Sequence, residues 1–315
     1  MKNKKVFLII NSYYIGDILL ANPLAQNIKR IYDDAYVVML TPPSMVDVAK
    51  YQKCVDDVVV WDRHGEHHGW FNMFKFILSF PYKNIYAAFP IYSGDRAIML
   101  AGLLRAKYIL GLKKGIIGIL LKSKYKIQSN MFQGTQGRVI SMLSGITQEK
   151  LINCPIKPEL PNIETEVIKE IEQLHEEFIT LSPTSSNIIK DMPIEDVGSI
   201  IETSPYKVVL LGKGNSSQVL SENLAKKNYK NLIDLTNKTS YLELAQIINM
   251  SKGCISVDTG SLHLACGLNK PTVGVFYNKH NWGYKPDSDI YPKTFCSSDL
   301  KPDEIVNKLS ELMNR

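Results

Sequence analysis

In the first half of the chain, short apolar-rich runs at residues 6–10, 36–40, 57–61 and 85–89 alternate with stretches of helical period that follow Asp17, Ser44 and Trp70. Runs this short and continuous predict strands covered on both faces, and their alternation with helices predicts a parallel sheet. A further helix is expected over 94–106, a short strand over 108–110, and a last helix over 134–144. The texture then breaks. Pro155, Pro158 and Pro161 mark a stiff connector, and a helical period resumes at Ile163 and runs to His175. The boundary therefore falls there, giving domains 1–155 and 156–315. In the second half the strand rhythm returns at 178–182, 207–211, 231–235, 254–258 and 272–276, with helices in the gaps and a final helix from Lys301 onward that packs back as a lid or crosses to the other domain. The fold class expected is α/β, with two doubly wound parallel-sheet domains facing across a cleft. Open sheets of this kind bind ligands where strand ends meet helix starts.

At 315 residues, the chain has material for two cores of ordinary size. Its opening, Met1 to Lys5 followed by the apolar run 6–10, imitates a signal peptide, but the run stops at Asn11 without a small-residue cleavage site and reads as the first strand. The longest other apolar stretches, 98–104 and 116–121, fall far short of the roughly 20 residues a membrane span needs. Cys54, Cys154, Cys254, Cys266 and Cys296 form no Cys-x-x-Cys pair and suit a reducing cytoplasm.

Charge divides the chain. Residues 1–155 carry 20 Lys and Arg against 10 Asp and Glu, whereas residues 156–315 carry 17 against 21. No acidic residue lies between Asp95 and Glu149, a segment that includes Arg96, Arg105, Lys107 and Arg138. Such a run suits an anionic partner, or is a solvated face. Nucleic acid is disfavoured, because no recognition motif or aromatic-interleaved stripe accompanies the charges.

The sharpest local signal is Gly253-Cys-Ile-Ser-Val-Asp258-Thr259-Gly260-Ser261-Leu-His263, a buried strand that breaks at Asp-Thr-Gly and restarts as a helix. Gly260 permits close backbone approach, and the amides and positive dipole end of the helix form a cradle for an anion, with diphosphate the natural guest. Alternatively, Asp258 and Thr259 only cap the helix. Upstream, Ser182-Pro-Thr184-Ser-Ser offers hydroxyls after a strand, and Lys190, in the loop before Pro193, can supply the positive charge a departing diphosphate requires. Gly212, after the strand ending at Leu211, marks a further close backbone approach. Near the N-terminus, Gly16-Asp17 leaves the first strand and opens a helix that contains Pro23. Asp17 is either a helix cap or a base poised to take a proton from a substrate hydroxyl.

Four stretches together resemble glycosyltransferase family 9, the lipopolysaccharide heptosyltransferases. They are Gly16-Asp17 with Pro23, the passage from Arg96 to Gly111, Lys190-x-x-Pro193, and Ser256-Val-Asp-Thr-Gly-Ser-Leu-His263 with Pro271 following. The resemblance implies a pair of Rossmann-like domains (the GT-B fold) and inverting, metal-independent transfer of heptose or a related sugar from a nucleoside diphosphate, usually ADP, to a lipopolysaccharide or lipooligosaccharide core. It implies no cofactor beyond that co-substrate. Asp17 becomes the catalytic base. Ser182, Thr184, Lys190, Gly212, Asp258, Thr259, Gly260, Ser261 and His263 become the donor site in the C-terminal domain. Gly16, Arg96, Arg105 and Lys107 fall to the acceptor, an anionic lipid-linked saccharide bound by the N-terminal domain. The expected location is the cytoplasm, with peripheral contact at the inner membrane face.

Two positions depart from the family pattern. Gly212-Lys-Gly-Asn-Ser-Ser217 stands where the family tends to place an acidic residue for the ribose, and Met192 stands where Trp commonly precedes the proline. His64-Gly-Glu-His-His68 imitates a metal cluster but lacks a second ligand group at regular spacing, and Asp287-Ser-Asp289 reads as a polar turn. Tyr13, Tyr14, Trp61 and Trp70 are expected in the core more than against a sugar. The rival readings are a sugar-nucleotide epimerase or hydrolase on the same fold, and a non-catalytic nucleotide-sugar binding protein.

Overall fold

The computed structural model describes residues 4–11, 14–91, 95–111, 116–121, 125–127, 131–277 and 284–315. The chain forms two compact units, Met1–Glu159 and Leu160–Arg315. In the first, strands β1 (Lys5–Asn11), β2 (Ala35–Thr41), β3 (Asp57–Val60), β4 (Ile85–Ile91), β5 (Tyr108–Gly111) and β6 (Tyr125–Ile127) alternate with helices α1 (Ile15–Ile31), α2 (Val46–Lys50), α3 (Gly69–Ser79), α4 (Asp95–Leu103), α5 (Ile116–Leu120) and α6 (Gly134–Ser141). The second holds β7 (Phe178–Ser182), β8 (Lys207–Leu210), β9 (Leu232–Asp234), β10 (Cys254–Val257), β11 (Thr272–Val275) and β12 (Thr294–Ser297), with α7 (Glu166–Glu172), α8 (Ile194–Thr203), α9 (Asn215–Ala225), α10 (Tyr241–Met250), α11 (Gly260–Gly267) and α12 (Pro302–Met313).

Every strand pairing is parallel, and the two six-stranded sheets share one topology. The first runs β3-β2-β1-β4-β5-β6 and the second, read from its other edge, β9-β8-β7-β10-β11-β12. Strand order therefore reverses between β1 and β4, and again between β7 and β10, which defines the ligand-binding switch point of each doubly wound sheet. The sequence expectation of two α/β doubly wound domains holds.

Central strands are apolar because helices cover both of their faces. Phe7, Leu8, Ile9 and Ile10 of β1 are fully buried, as are Ile179 and Leu181 of β7. Two edge strands, β6 and β12, lie outside the runs read from sequence. The terminal helix α12 packs into the core of the second unit. Its Ile305, Val306, Leu309 and Leu312 sit in one core with Val197, Ile200 and Ile201 of α8 and Val273 and Val275 of β11.

The proline-rich connector belongs to the first unit, which carries the division from the expected 155 to Glu159. Polar side chains of α1 hold it. Asn27 donates through Nδ2 to Ile152 O at 2.8 Å and accepts at Oδ1 from Ile152 N at 2.9 Å, Gln26 donates to Pro155 O at 2.7 Å, and Asn22 Oδ1 accepts from Lys157 N at 2.8 Å. Asn22 and Asn27 are buried, so these bonds satisfy groups that burial would otherwise leave costly.

Candidate active site

The switch point of the second unit collects most of the residues singled out from sequence. Helices α8 and α11, which follow β7 and β10, lie on opposite faces of the sheet: α8 packs with α9 and α12, and α11 packs with α10. Between β7 and α8 the loop folds back on itself, closed by Ser185 N donating to Asp191 Oδ1 at 2.7 Å and Met192 N donating to Pro183 O at 2.8 Å. Met192 itself is buried in the core and so anchors the loop from beneath. The fold-back brings Lys190 Nζ to 2.7 Å from Asp258 Oδ2, across 68 residues of sequence. Asp258 is nearly buried, with 5% of its side chain exposed, whereas Lys190 keeps 22%. Its ammonium also lies 5.4 Å from the Tyr284 ring centroid.

Beyond Asp258 the chain enters α11 at Gly260. Thr259 is the N-cap residue, in extended conformation at φ −144°, but its side chain makes no cap hydrogen bond. Thr259 therefore does not cap α11 through its side chain, and the helix opens at Gly260, just after the Asp258 carboxylate that holds the Lys190 ammonium. Ser261 and His263 are buried within α11. His263 Nε2 stands 3.9 Å from Asp258 Oδ1. Burial pushes its pKa down to about 4, against the pull of the Asp258 carboxylate and with a contribution from the Lys190 cation, so the ring is neutral near pH 7.

Hydroxyls line the β8 side of this loop. Thr184 Oγ1 and Ser217 Oγ are 2.6 Å apart and buried. Gly212 passes directly over them: a Cβ there would stand 2.6 Å from Ser217 Oγ and 3.1 Å from Thr184 Oγ1, so glycine is required for the approach. Ser182 Oγ is buried without a hydrogen-bond partner among the described residues. Sequence reasoning missed Ser217 and Asn237. Asn237 accepts at Oδ1 from Gly214 N at 2.7 Å and donates through Nδ2 to Gln218 Oε1 at 2.9 Å, fixing the start of α9. The hydroxyl run after Gly214 was the available signal for Ser217; Asn237 had none beyond its turn-forming residue type.

In the first unit, Asp17 lies in the first turn of α1, just beyond β1, and Gly16 precedes it in the same turn. The carboxylate completes a capping box, Oδ2 accepting from Tyr14 N at a long 3.4 Å. Arg96 occupies the equivalent place on α4, just beyond β4, so Asp17 and Arg96 flank this unit's switch point. A cavity of about 450 Å³ opens beside Arg96, between α3 and α4, lined by Trp61, Arg63, His67, Trp70, Asp95 and Arg96 among others. Trp61 is buried as expected, but Trp70 is 74% exposed and Tyr14 59%, contrary to expectation; Tyr13 lies outside the described residues.

Arg105 and Lys107 do not join this rim. They stand in the turn between α4 and the start of β5, at the amino end of the sheet, where Lys107 lies over the rings of Tyr86 and Tyr108. The acid-free run is therefore not one face: α4 separates Arg96, at the carboxyl end of the sheet, from Arg105 and Lys107, at its amino end. The histidine cluster is a loop knot: Asp62 N donates to His67 Nδ1 and Arg63 Nε to His64 Nε2. Asp287-Ser-Asp289 is a polar turn closed by Asp289 N donating to Asp287 Oδ1 at 3.0 Å. Among the described residues, no three His, Cys, Asp or Glu gather as a metal-ligand group. The five cysteines are free.

Two parallel sheets of identical strand order, each doubly wound about its own switch point, are the architecture of the GT-B fold class. The sequence matches the profile of glycosyltransferase family 9 (heptosyltransferase) over residues 99–300, and the chain belongs to that family; it is a glycosyltransferase. No curated protein matches it. Among solved structures, the E. coli ADP-heptose LPS heptosyltransferase II aligns at TM-score 0.79 over 98% of both chains with 15% identity. A family 9 protein from Veillonella parvula DSM 2008 aligns at 0.82 over 98% of this chain and 97% of its own with 14% identity. The E. coli heptosyltransferase WaaC with ADP aligns at 0.72 over 98% and 99%, also with 14% identity. At these identities the likeness bears on the fold.

Proposed function

We propose that this glycosyltransferase moves heptose or a closely related sugar from ADP to a lipopolysaccharide-type core acceptor, with inversion and without a metal. The observation that carries the reading is the Lys190–Asp258 contact at the start of α11. Asp258 holds the ammonium where it can pass to an arriving diphosphate, while the amides from Thr259 to Ser261 receive the phosphate oxygens. Lysine and helix end thus supply the positive charge that other transferases draw from a metal. Ser182, Thr184 and Gly212 line the nucleotide side, and neutral His263 supports the pocket from below.

Proton removal falls to Asp17. As the acceptor hydroxyl attacks the anomeric carbon, its proton passes to the carboxylate and the C–O bond to the diphosphate breaks. Inversion requires attack opposite the leaving group. Gly16, Arg96 and the cavity beside it serve the anionic saccharide, whereas Arg105 and Lys107, at the far rim, have no part in that role. The free cysteines support a cytoplasmic setting, with the acceptor presented on the inner membrane face.

Asp17→Asn tests the assignment. With ADP-heptose and a core acceptor, kcat should fall about 10²- to 10⁴-fold while donor affinity stays unchanged. Undiminished turnover would remove Asp17 as the base. Rapid conversion of donor alone by the unaltered enzyme would favour an epimerase or hydrolase instead.

A further inference from the structure

Helix α3 is apolar on both sides, which a soluble helix is not. Phe76 is buried against the core and Ile77 packs on it, as the inner face requires. The outer face carries Trp70 at 74% exposure, Phe71 at 71%, Phe74 at 58% and Leu78 at 65%. At their spacing these four form one stripe along the whole helix. Neighbouring helices continue the theme: Ile116 and Ile119 of α5 are exposed, and α5 borders the same cavity as Trp70 through Ile117. An apolar surface of this extent marks an interaction site.

The charges around it select the occupant. Lys75 is the only charged residue of α3, and no acidic residue occurs between Glu66 and Asp95. The Lys75 ammonium lies 4.5 Å from the Phe71 ring centroid, on the exposed stripe itself, and Lys83 Nζ reaches Leu78 O at 3.5 Å past the last turn. Arg63 and Arg96 line the cavity alongside Trp70, two cations against the single carboxylate of Asp95. A second copy of the chain seated face to face would set one basic face against another, with no acidic residue on either copy of α3 to balance Lys75. A bilayer with anionic headgroups satisfies both features: aromatic and aliphatic side chains enter the headgroup–acyl boundary while the lysines and arginines meet phosphates.

We infer that the outer face of α3 is a membrane-docking surface that seats the protein on an anionic leaflet. The inference deepens the lipid-linked acceptor reading above, by placing the contact on α3 and not on the basic run from Arg96 to Arg138. Docking does not depend on the chemistry of transfer. A helix lying in the interface beside the cavity would let a saccharide enter while its lipid anchor stays in the bilayer.

Co-sedimentation of the full chain with vesicles of phosphatidylcholine and phosphatidylglycerol in equal parts, without donor or acceptor, tests this. The protein should bind at low salt, bind more weakly at high salt, and bind poorly to pure phosphatidylcholine. The triple variant Phe71→Ser, Phe74→Ser, Leu78→Ser should lose roughly tenfold or more in partition, while its circular dichroism and melting temperature match the parent. Lys75→Gln should bind less tightly to the mixed vesicles and show a shallower salt dependence. Brominated lipid should quench the fluorescence of the parent, and Trp70→Phe should abolish that quenching. Equal partition of the triple variant would overturn the inference, as would a parent that forms a dimer dispersed by those substitutions and ignores vesicles. A protein that docks yet transfers no sugar would sink the reaction proposed above and leave the docking surface standing.

Discussion

At the scale of single residues, the Lys190–Asp258 pair has two duties that mutation can separate. Removing the ammonium by Lys190→Met leaves a carboxylate with 5% of its side chain exposed and no counter-charge, which should cost about 1–3 kcal/mol of stability. It should also weaken ADP binding about tenfold or more, since a charge-assisted contact to the diphosphate goes with it. Adding Asp258→Asn should restore much of the stability, because the uncompensated charge disappears, but none of the affinity. Urea unfolding and nucleotide titration of the parent, both single variants and the double variant measure each part; recovery of affinity in the double variant would show that Lys190 does not touch the nucleotide. His263 adds a pH dependence. Its pKa is depressed to about 4 in the folded chain against about 6.5 unfolded, so below pH 6.5 the unfolded state takes a proton that the folded state refuses. Stability is therefore full above pH 6.5 and declines as pH falls toward 4, by at most about 3 kcal/mol from this group. Urea unfolding of the parent minus that of His263→Leu, followed from pH 7 to pH 4, should isolate that slope; a difference that stays level over the window would mean the ring is not held neutral.

Among the elements, those legible in the sequence are the ones whose burial leaves a simple trace. Strands β1, β2 and β4 show as apolar runs because helices cover both faces of each. The strands that escaped are edges: β6 is three residues inside a lysine-rich stretch, and β12 is four residues that include exposed Phe295. These two edges leave no apolar run, whereas the edges β3 and β9 are legible from theirs. Polar anchors were hidden in the same way, since Asn22, Gln26 and Asn27 look like ordinary helix-surface residues until the connector returns to meet them. The candidate site was legible where one local segment makes it, as with Asp258 to His263 and with Asp17 opening α1. What the sequence withheld was pairing across the sheet. That Lys190 belongs to Asp258, and Thr184 to Ser217, depends on which strands are neighbours, and neighbours at a switch point are remote in the chain. The basic residues Arg96, Arg105 and Lys107 show the converse: close in sequence, they are carried by one helix to opposite ends of the sheet.

For the molecule as a whole, the division at Glu159 separates two compact units, each with its own sheet and core. The α1 asparagines bind the connector into the first unit, so the cut leaves no polar anchor of α1 without its partner. The second unit keeps a core of its own, closed by α12 on α8, and contains all the contacts of the proposed diphosphate cradle: Lys190 with Asp258, Thr184 with Ser217, and Gly214 with Asn237. A ligand that binds only the folded form stabilises whichever cooperative unit holds its site, by about 2.7 kcal/mol at a hundredfold excess over Kd. Residues 160–315 expressed alone should therefore fold, bind ADP with the affinity of the full chain, and gain the same stabilisation in urea unfolding with and without nucleotide. Residues 1–159 should fold and show no response to ADP. A fragment 160–315 that folds but fails to bind ADP, when the full chain binds it, would mean that the first unit supplies part of the nucleotide site, and the assignment of the donor wholly to the second switch point would fall.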